Sequence, residues 1–248
     1  MEIYVWIKWK LFSPLIKFFS ILFIKQEIFK NKDFTYYANK NVDPVTRFLM
    51  KFNLWEKKER NLISQIYENI DTIEAGGGIG IISLYIKKKI KDSKHIILEP
   101  NEDFHDTIKK NFETNNLNKN NLFILNLALS NENFSNITFF DFISPFTNKI
   151  NLDSLEYTKK TNKNKIVNTV SIPKILEDYK INNFQLIMDV EGEEYNIIKK
   201  NNEWLKKCKC ILYECHHTKN KLNSIHKTLF DFGFNLIKKK ENVYLFKK

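Results

Sequence analysis

From residue 71 onward, short apolar runs alternate with longer stretches whose apolar residues recur at helical spacing. Buried strands are predicted for DTIEA (71–75), HIILE (95–99), LFILNLALS (122–130), FQLIMDV (184–190) and CILYEC (210–215). Helices are predicted over 48–70, 80–90, 102–115, 193–205 and 221–233, and Asn101 is expected to cap the third of them. This alternation indicates an α/β fold, a doubly wound and mostly parallel sheet with helices on both faces.

Two regions depart from the alternation. The chain ends on FNLIKKK and NVYLFKK, which predict a terminal hairpin that adds an antiparallel strand to the sheet. Residues 131–172 carry two strand-like runs, NITFFDFI and KIVNTVSI, around a polar, lysine-rich loop. Inserted segments of this kind often lie at the carboxyl edge of a sheet, where ligands bind, so we expect this insertion on the substrate side.

The first fifty residues are predicted to form an apolar, helical extension, and residues 51–248 to form the main domain. Residues 6–26 are apolar, but lysines interrupt them before any run reaches the ~20 residues that span a bilayer. A secretory signal is not predicted, because no small-residue cleavage site follows. Two alternatives stay open: the segment packs on the domain, or it lies in a membrane interface. We expect a cytoplasmic protein, which under the second alternative contacts the inner membrane face.

Charge and cysteine content exclude few classes of function. The chain of 248 residues has a net charge of +11, but its lysines are spread throughout rather than clustered, so nucleic acid is not an expected partner. Three cysteines lie between 208 and 215, beside His216 and His217. Their spacing matches no standard zinc pattern and their odd number argues against a disulfide framework, so we expect core cysteines and predict no metal site.

The segment TIEAGGGIGIIS (72–83) holds four of the six glycines in the chain. A glycine cluster of this density marks a backbone that turns tightly or approaches a ligand closely. The dinucleotide fingerprint G-x-G-x-x-G fails at its third glycine, and no G-K-[ST] follows to make a phosphate loop. The residues spell E-x-G-x-G-x-G from Glu74 to Gly80. Glu99, at the end of the next predicted strand, is placed to accept hydrogen bonds from ribose hydroxyls.

The glycine motif resembles the nucleotide-binding loop of class I S-adenosylmethionine-dependent methyltransferases. Further segments resemble, in order, those of the FkbM family of methyltransferases: ILEPNEDFHDTIKKN (97–111), NLALS (126–130), VSIPKIL (170–176), LIMDVEGEEYNII (186–198) and ILYECHH (211–217). The resemblance covers residues 54–217, and the D-V-E-G-x-E block is its most specific part. It implies a class I (Rossmann-like) methyltransferase fold and O-methylation of sugars or related hydroxyl-bearing metabolites.

The resemblance also implies a set of site residues. S-adenosylmethionine is expected to contact Glu74, Gly76, Gly78, Gly80, Glu99, Asn126, Ala128 and Asp189. The family more often has aspartate and a G-A-N-like sequence where this chain has Glu74 and three glycines. His216, which matches the E-x-H of the family, is the expected general base, because the pKa of histidine suits that task. Asp189 is expected to orient it or to act as the alternative base, and Glu191 is a further candidate.

Other classes of function stay open. A nucleic-acid amino-methyltransferase would carry an N-P-P-Y-like segment where this chain has DVEG. A non-catalytic nucleotide-binding module and an NAD-dependent oxidoreductase are the remaining alternatives. The expected acceptor is a small molecule or a glycan, for which a lipid-linked glycan would suit membrane contact through residues 6–26.

Overall fold

The computed structural model describes residues 27–38, 42, 44–133, 136–142 and 160–248. Its main sheet consists of β3 (Asp71–Ala75), β4 (His95–Leu98), β5 (Leu122–Leu125), β9 (Phe184–Met188), β10 (Cys208–Glu214), β11 (Asn235–Lys240) and β12 (Val243–Lys247). The strand order is β5-β4-β3-β9-β10-β12-β11. Neighbouring strands are parallel except around β12, which is antiparallel to both β10 and β11. The predicted parallel sheet with a terminal hairpin is confirmed.

Helices cover both faces of this sheet. The α-helices in the described ranges are α1 (Pro44–Lys51), α2 (Lys57–Ile63), α3 (Ile81–Ile90), α4 (His105–Thr114), α5 (Ile172–Asp178), α6 (Glu194–Lys199) and α7 (Lys219–Asp231). Short 3₁₀ helices occupy Glu102–Phe104 and Asn202–Lys206. The side chain of Asn101 accepts a hydrogen bond from the backbone N–H of Asp103, which confirms its predicted capping role.

The core lies on the two faces of the sheet because successive strand residues point to opposite sides. On β9, Leu186 belongs to a cluster that includes residues of α5, α6 and α7. The next residue, Ile187, belongs to a cluster with residues of α2 and α3. Ile97 of β4 packs with residues of α3 and α4. The doubly wound arrangement that the sequence predicts, with helices on both faces of the sheet, is therefore confirmed.

Smaller sheets flank the main one. A three-stranded sheet has the order β6-β8-β7, formed by Ala128–Leu129, Lys160–Val170 and Asn136–Phe142. It contains both strands that were predicted for the insertion. Towards the N-terminus, β1 (Ile28–Lys30) and β2 (Thr35–Tyr37) form an antiparallel ribbon that the sequence analysis does not predict. Aromatic residues of the ribbon share a hydrophobic cluster with α3 and α4, so the ribbon packs into the core of the main domain.

Three predicted elements are shorter than expected. The helix predicted over 48–70 is divided into α1 and α2, because Asn53 (φ 61°) and Glu56 (φ 47°) adopt left-handed conformations that end one helix before the next begins. The helix predicted over 193–205 breaks at Asn201 (φ 47°) in the same way. The run 122–130 is two strands, because the chain leaves β4 after residue 125 and pairs Ala128 with Thr169 of β8.

Helix α5 is absent from the sequence analysis. Ser171 caps it by accepting a hydrogen bond from the Lys174 N–H, and a proline lies at its first turn. The S-x-P pattern was the available signal. Residues 6–26 and 143–159 lie outside the described residues, so the membrane alternative and the loop of the insertion stay predictions. Among the helices that the structure describes, none is long and apolar enough to cross a membrane.

Candidate active site

A cavity of about 460 Å³ opens where β3, β4, β9 and β10 reach their carboxyl ends. The chain continues from β3 to β4 on one side and returns to β9 on the other, and open α/β sheets bind ligands at such a reversal. One wall is apolar and comprises Leu49, Leu54, Phe104, Leu127 and Leu129. The facing wall carries the glycine loop and a group of carboxylates beside one histidine.

The glycines of the loop have different surroundings. Gly76 (φ 86°) is so close to β9 that an added Cβ would lie 2.0 Å from the carbonyl oxygen of Asp189. Gly78 (φ 52°) faces open space, with no heavy atom within 4 Å of an added Cβ. Both line the cavity. At Gly80 (φ 84°) an added Cβ would instead lie 3.3 Å from Ile108 of α4, so this glycine allows the loop to approach that helix closely.

Glu99 follows β4 and points back to the loop. Its Oε2 accepts a hydrogen bond from the Gly78 N–H at 2.6 Å, and its Oε1 accepts one from the Asn101 N–H at 2.8 Å. The residue is only 5% exposed but lines the cavity. Burial raises the pKa of this carboxyl to about 7, against the lowering effect of the two N–H groups. Glu99 and the loop thus form one hydrogen-bonded unit at the rim of the cavity.

Glu74, the first residue of the motif, is turned away from this cavity. It is buried, with Oε2 at 2.7 Å from Nε2 of His95 and Oε1 accepting a hydrogen bond from the Ser83 hydroxyl at 2.9 Å. These contacts join β3 to β4 and α3 behind the glycine loop. The geometry gives Glu74 a supporting position, and its predicted contact with the cofactor stays a prediction.

Asn126 and Ala128 flank the cavity without lining it. Asn126 is exposed in the turn after β5, and Ala128 is buried in β6. The residues that line the cavity here are their neighbours, Leu127 and Leu129. The predicted contacts of Asn126 and Ala128 with the cofactor therefore stay predictions.

Asp189 directly follows β9, and its backbone N–H donates to the Ala75 carbonyl at 2.9 Å. This bond fixes the end of β9 against β3, beside the glycine loop. The side chain is 45% exposed, and that exposed part faces the cavity. Loss of solvent around the carboxyl group and the charges of Glu214 and Glu191 raise the pKa of Asp189 well above its usual value.

His216 lies two residues after β10, among four carboxylates. Its Nδ1 is 3.0 Å from Oε1 of Glu194, which is fully buried. Its Nε2 is 3.6 Å from Glu191 Oε2 and 3.8 Å from both Asp189 Oδ1 and Glu214 Oε1. The structure therefore brings the three predicted catalytic residues, His216, Asp189 and Glu191, to one place.

The charges around His216 decide its protonation. Burial lowers the pKa of the imidazole, but the hydrogen bond to Glu194 and the charges of Glu191 and Asp189 outweigh burial and raise the pKa to about 9. Burial raises the pKa of Glu194, yet its hydrogen bonds with His216 and His217 lower it to about 2. In this geometry His216 holds a proton at neutral pH, which favours Asp189, the alternative base, as the group that accepts one.

Sequence reasoning missed the contribution of the segment between α1 and α2. Glu56 and Glu59 line the cavity together with Trp55. Burial and the charge of Glu59 together raise the pKa of Glu56 to about 8. The charged run WEKKER offered no pattern that distinguishes a site from a solvated helix end. With these residues the cavity is acidic, although the chain as a whole is basic.

The cysteines form part of the core. Cys208, Cys210 and Cys215 are buried and free, as predicted. His217 is nearly buried as well, with its Nε2 at 3.1 Å from Glu194 Oε2. The C-x-C-x4-C-H-H run thus supplies one histidine to the cavity, and its sulfur atoms lie in the interior.

Comparisons with known proteins give matches among solved structures and among protein families. One solved structure that matches the chain is precorrin-6y C5,15-methyltransferase from Geobacter metallireducens, at 13% identity and a TM-score of 0.44, with 84% of this chain and 90% of that chain covered. Another is methyltransferase FkbM from Methylobacillus flagellatus, at 13% identity and a TM-score of 0.48, with 83% of this chain and 52% of that chain covered. This chain thus spans about half the length of the Methylobacillus protein. A comparison with the curated proteins gives no match.

The match to a protein family covers most of the elements that build the cavity. The sequence pattern of the methyltransferase FkbM domain matches residues 74–236, from the first residue of the glycine motif to the beginning of β11. The matched range includes Glu99, Asp189 and His216. Because this match covers well over half of the chain, the protein belongs to the FkbM methyltransferase family and is a methyltransferase.

Proposed function

We propose that the protein transfers a methyl group from S-adenosylmethionine to a hydroxyl group of a sugar, a glycan or a related metabolite. The observation that carries this proposal is the cavity itself. In a member of the FkbM family, the glycine loop and Glu99 open onto the same space as Asp189 and His216. A donor held by the first pair would present its methyl group to an acceptor at the second.

The residues at the rim fit the cofactor. Gly78 leaves a concave space that a Cβ would fill, which allows a ligand to approach the backbone closely. Each oxygen of Glu99 accepts one N–H, and a carboxylate oxygen has two lone pairs, so both oxygens can still accept a ribose hydroxyl. Phe104 and Leu129 offer apolar surface to an adenine ring. When bound, S-adenosylmethionine supplies an electrophilic methyl group on a sulfonium.

The chain's own residues contribute positioning and proton transfer. Holding two reactants at near-attack distance accounts for a large part of the rate in such transfers. The apolar wall at Leu49 and Leu54 would exclude water from one side of the acceptor. Asp189 faces the cavity and would accept the proton of the acceptor hydroxyl, while His216, fixed by Glu194, would orient that carboxylate. Glu191 adds negative charge on the far side of the imidazole.

The acceptor and the location in the cell rest on features that the comparisons leave open. A lipid-linked glycan as acceptor, peripheral contact with the inner membrane face through residues 6–26, and a cytoplasmic location belong to this proposal. Vesicle flotation separates the membrane part from the rest. Equal recovery of the full-length and N-terminally truncated proteins in the soluble fraction, with anionic lipid present, would contradict membrane contact alone.

Calorimetry tests the cofactor. S-adenosylhomocysteine should bind the full chain, and NADH should not. Tight NADH binding without binding of S-adenosylhomocysteine would refute the proposal and favour the oxidoreductase alternative.

Labelled S-adenosylmethionine, incubated with fractionated glycans, lipids and small metabolites, tests the acceptor. On the acceptor so found, Asp189→Asn should lower the turnover number by about 10²–10⁴-fold, the usual contribution of a general base. Asp178→Asn, on the exposed end of α5, is the matched control. If His216→Ala lost turnover while Asp189→Asn kept it, the base would be His216.

A further inference from the structure

Three side chains of different kinds converge at the carboxyl ends of two neighbouring strands. Asp189 follows β9, Glu214 ends β10, and His216 lies two residues beyond. One donor atom from each, a carboxylate oxygen or an imidazole nitrogen, lies within 4.8 Å of the other two. Because β9 and β10 are paired in parallel register, the main sheet holds these positions rigidly.

The distances suit donors that share an ion better than donors that bond to each other. Nε2 of His216 is 3.8 Å from Asp189 Oδ1, 3.8 Å from Glu214 Oε1 and 3.6 Å from Glu191 Oε2. These separations exceed those of direct hydrogen bonds. Ligands that each lie about 2.1 Å from one cation are separated from each other by roughly 3.0–3.5 Å. A small inward movement of each side chain would complete such a set.

The imidazole is oriented as a metal-binding histidine would be. Its Nδ1 is 3.0 Å from Oε1 of Glu194, a fully buried carboxylate that belongs to α6. Histidines that bind a metal through one nitrogen usually donate the other N–H to a carboxylate, which fixes the ring and its tautomer. Glu194 thus directs Nε2 of His216 at Asp189 and Glu214.

Carboxylates also crowd the part of the cavity next to His216. The acidic residues that line the cavity are Glu56, Glu59, Glu99, Asp189, Glu191 and Glu214, beside Lys57 and Lys58. Asp189, Glu191 and Glu214 each lie 3.6–3.8 Å from Nε2 of His216, so their negative charges repel one another. A divalent cation among these three carboxylates would offset that repulsion.

We propose that Asp189, Glu214 and His216 bind one divalent cation, which displaces the proton from Nε2 of His216, with Glu191 beside it and Glu194 holding His216 in place. One imidazole with carboxylates and water suits a first-row ion such as Mn²⁺. The cation's role in methyl transfer rests on the proposed function. The cation would bind the hydroxyl group of the acceptor and lower the pKa of that hydroxyl. Binding through Oδ1 of Asp189 leaves Oδ2 as the proton acceptor.

Binding of Mn²⁺ to the full chain, after removal of metals by a chelator, tests the site directly. The electron paramagnetic resonance signal of free Mn²⁺ should fall on titration and show one saturable site. His216→Ala and Glu214→Gln should each weaken binding by at least about 100-fold, since even residues behind the ligands are worth about 10–100-fold. Glu59→Gln removes a charge from the same cavity and should weaken binding only about two- to fivefold.

The exposed Glu203→Gln is the outer control and should bind Mn²⁺ as the natural protein does. Retained binding of S-adenosylhomocysteine shows that each variant is folded. Absence of saturable Mn²⁺ binding, or equal losses in Glu59→Gln and Glu214→Gln, would overturn the inference while leaving the proposed function intact. Conversely, Mn²⁺ binding without binding of S-adenosylhomocysteine would support the cation site and refute the proposed cofactor.

Discussion

Substitution by alanine should have different effects at two glycines of the same loop. Gly76 and Gly78 both have positive φ and both line the cavity. An alanine at Gly78 would meet no heavy atom within 4 Å, whereas one at Gly76 would place its Cβ 2.0 Å from a backbone carbonyl oxygen. We therefore expect Gly78→Ala to impair ligand binding and Gly76→Ala to impair folding.

The geometry sets the magnitudes. A left-handed conformation costs an L-residue about 1–2 kcal/mol, so Gly78→Ala should lower Tm by roughly 2–8 °C in a chain of this size. Gly76→Ala bears the same cost and must also displace the Asp189 backbone, which the Ala75 carbonyl holds at 2.9 Å. Overpacking adds about 1–3 kcal/mol, so the total of about 2–5 kcal/mol is a large share of a typical stability of about 5–15 kcal/mol.

Calorimetric melting and titration with S-adenosylhomocysteine measure both effects. Gly233→Ala is the matched control, because Gly233 also has positive φ (83°) and open space around it but lies in the turn before β11, away from the cavity. Gly233→Ala should have the same Tm as Gly78→Ala, and it should bind S-adenosylhomocysteine with the affinity of the natural protein. Gly78→Ala should lose affinity at least about tenfold, about 1.4 kcal/mol, through occupation of the cofactor's space. Unchanged affinity in Gly78→Ala, or a Tm of Gly76→Ala equal to that of Gly233→Ala, would refute the reasoning.

Substitutions at three further positions test the loop's supports and the core. The raised pKa of Glu99 (from 4.5 to about 7) means that the folded protein keeps this proton while the unfolded chain loses it. Relative to Glu99→Gln, the natural protein should therefore lose about 3 kcal/mol of stability as pH rises from about 4.5 to about 7. Denaturant melts in which the free energies of unfolding of the two proteins change in parallel with pH would contradict this. Glu74→Ala leaves buried His95 without its partner and should lower the free energy of unfolding by about 3–5 kcal/mol. Glu74→Gln keeps an acceptor and should lower it less. Equal unfolding midpoints of the two variants in urea would argue against the buried pair. Ile211→Ala, at a fully buried position of β10, should cost about 2–5 kcal/mol, and a loss under 1 kcal/mol in the same melts would show that the core there is looser than described.

The sequence by itself determined the class of fold and the location of the loop. Apolar runs separated by helical periods are sufficient for a parallel sheet, because each element must bury one face against the next. The glycines of the motif carry their own signal, since only glycine adopts positive φ readily and also admits close backbone contact. The family resemblance of the segments around Asp189 and His216 likewise depended on local sequence alone.

Only the tertiary structure decided which residues share a cavity and in what state of charge. Glu74 belongs to the motif but is buried against His95, because strand alternation directs its side chain to the face of the sheet that α3 covers. Glu56 is far from Asp189 in sequence, and a left-handed turn brings it into the same cavity. The proton on His216 depends on Asp189, Glu191 and Glu194, which belong to a different segment of the chain, because electrostatic interactions follow distance in space rather than along the chain.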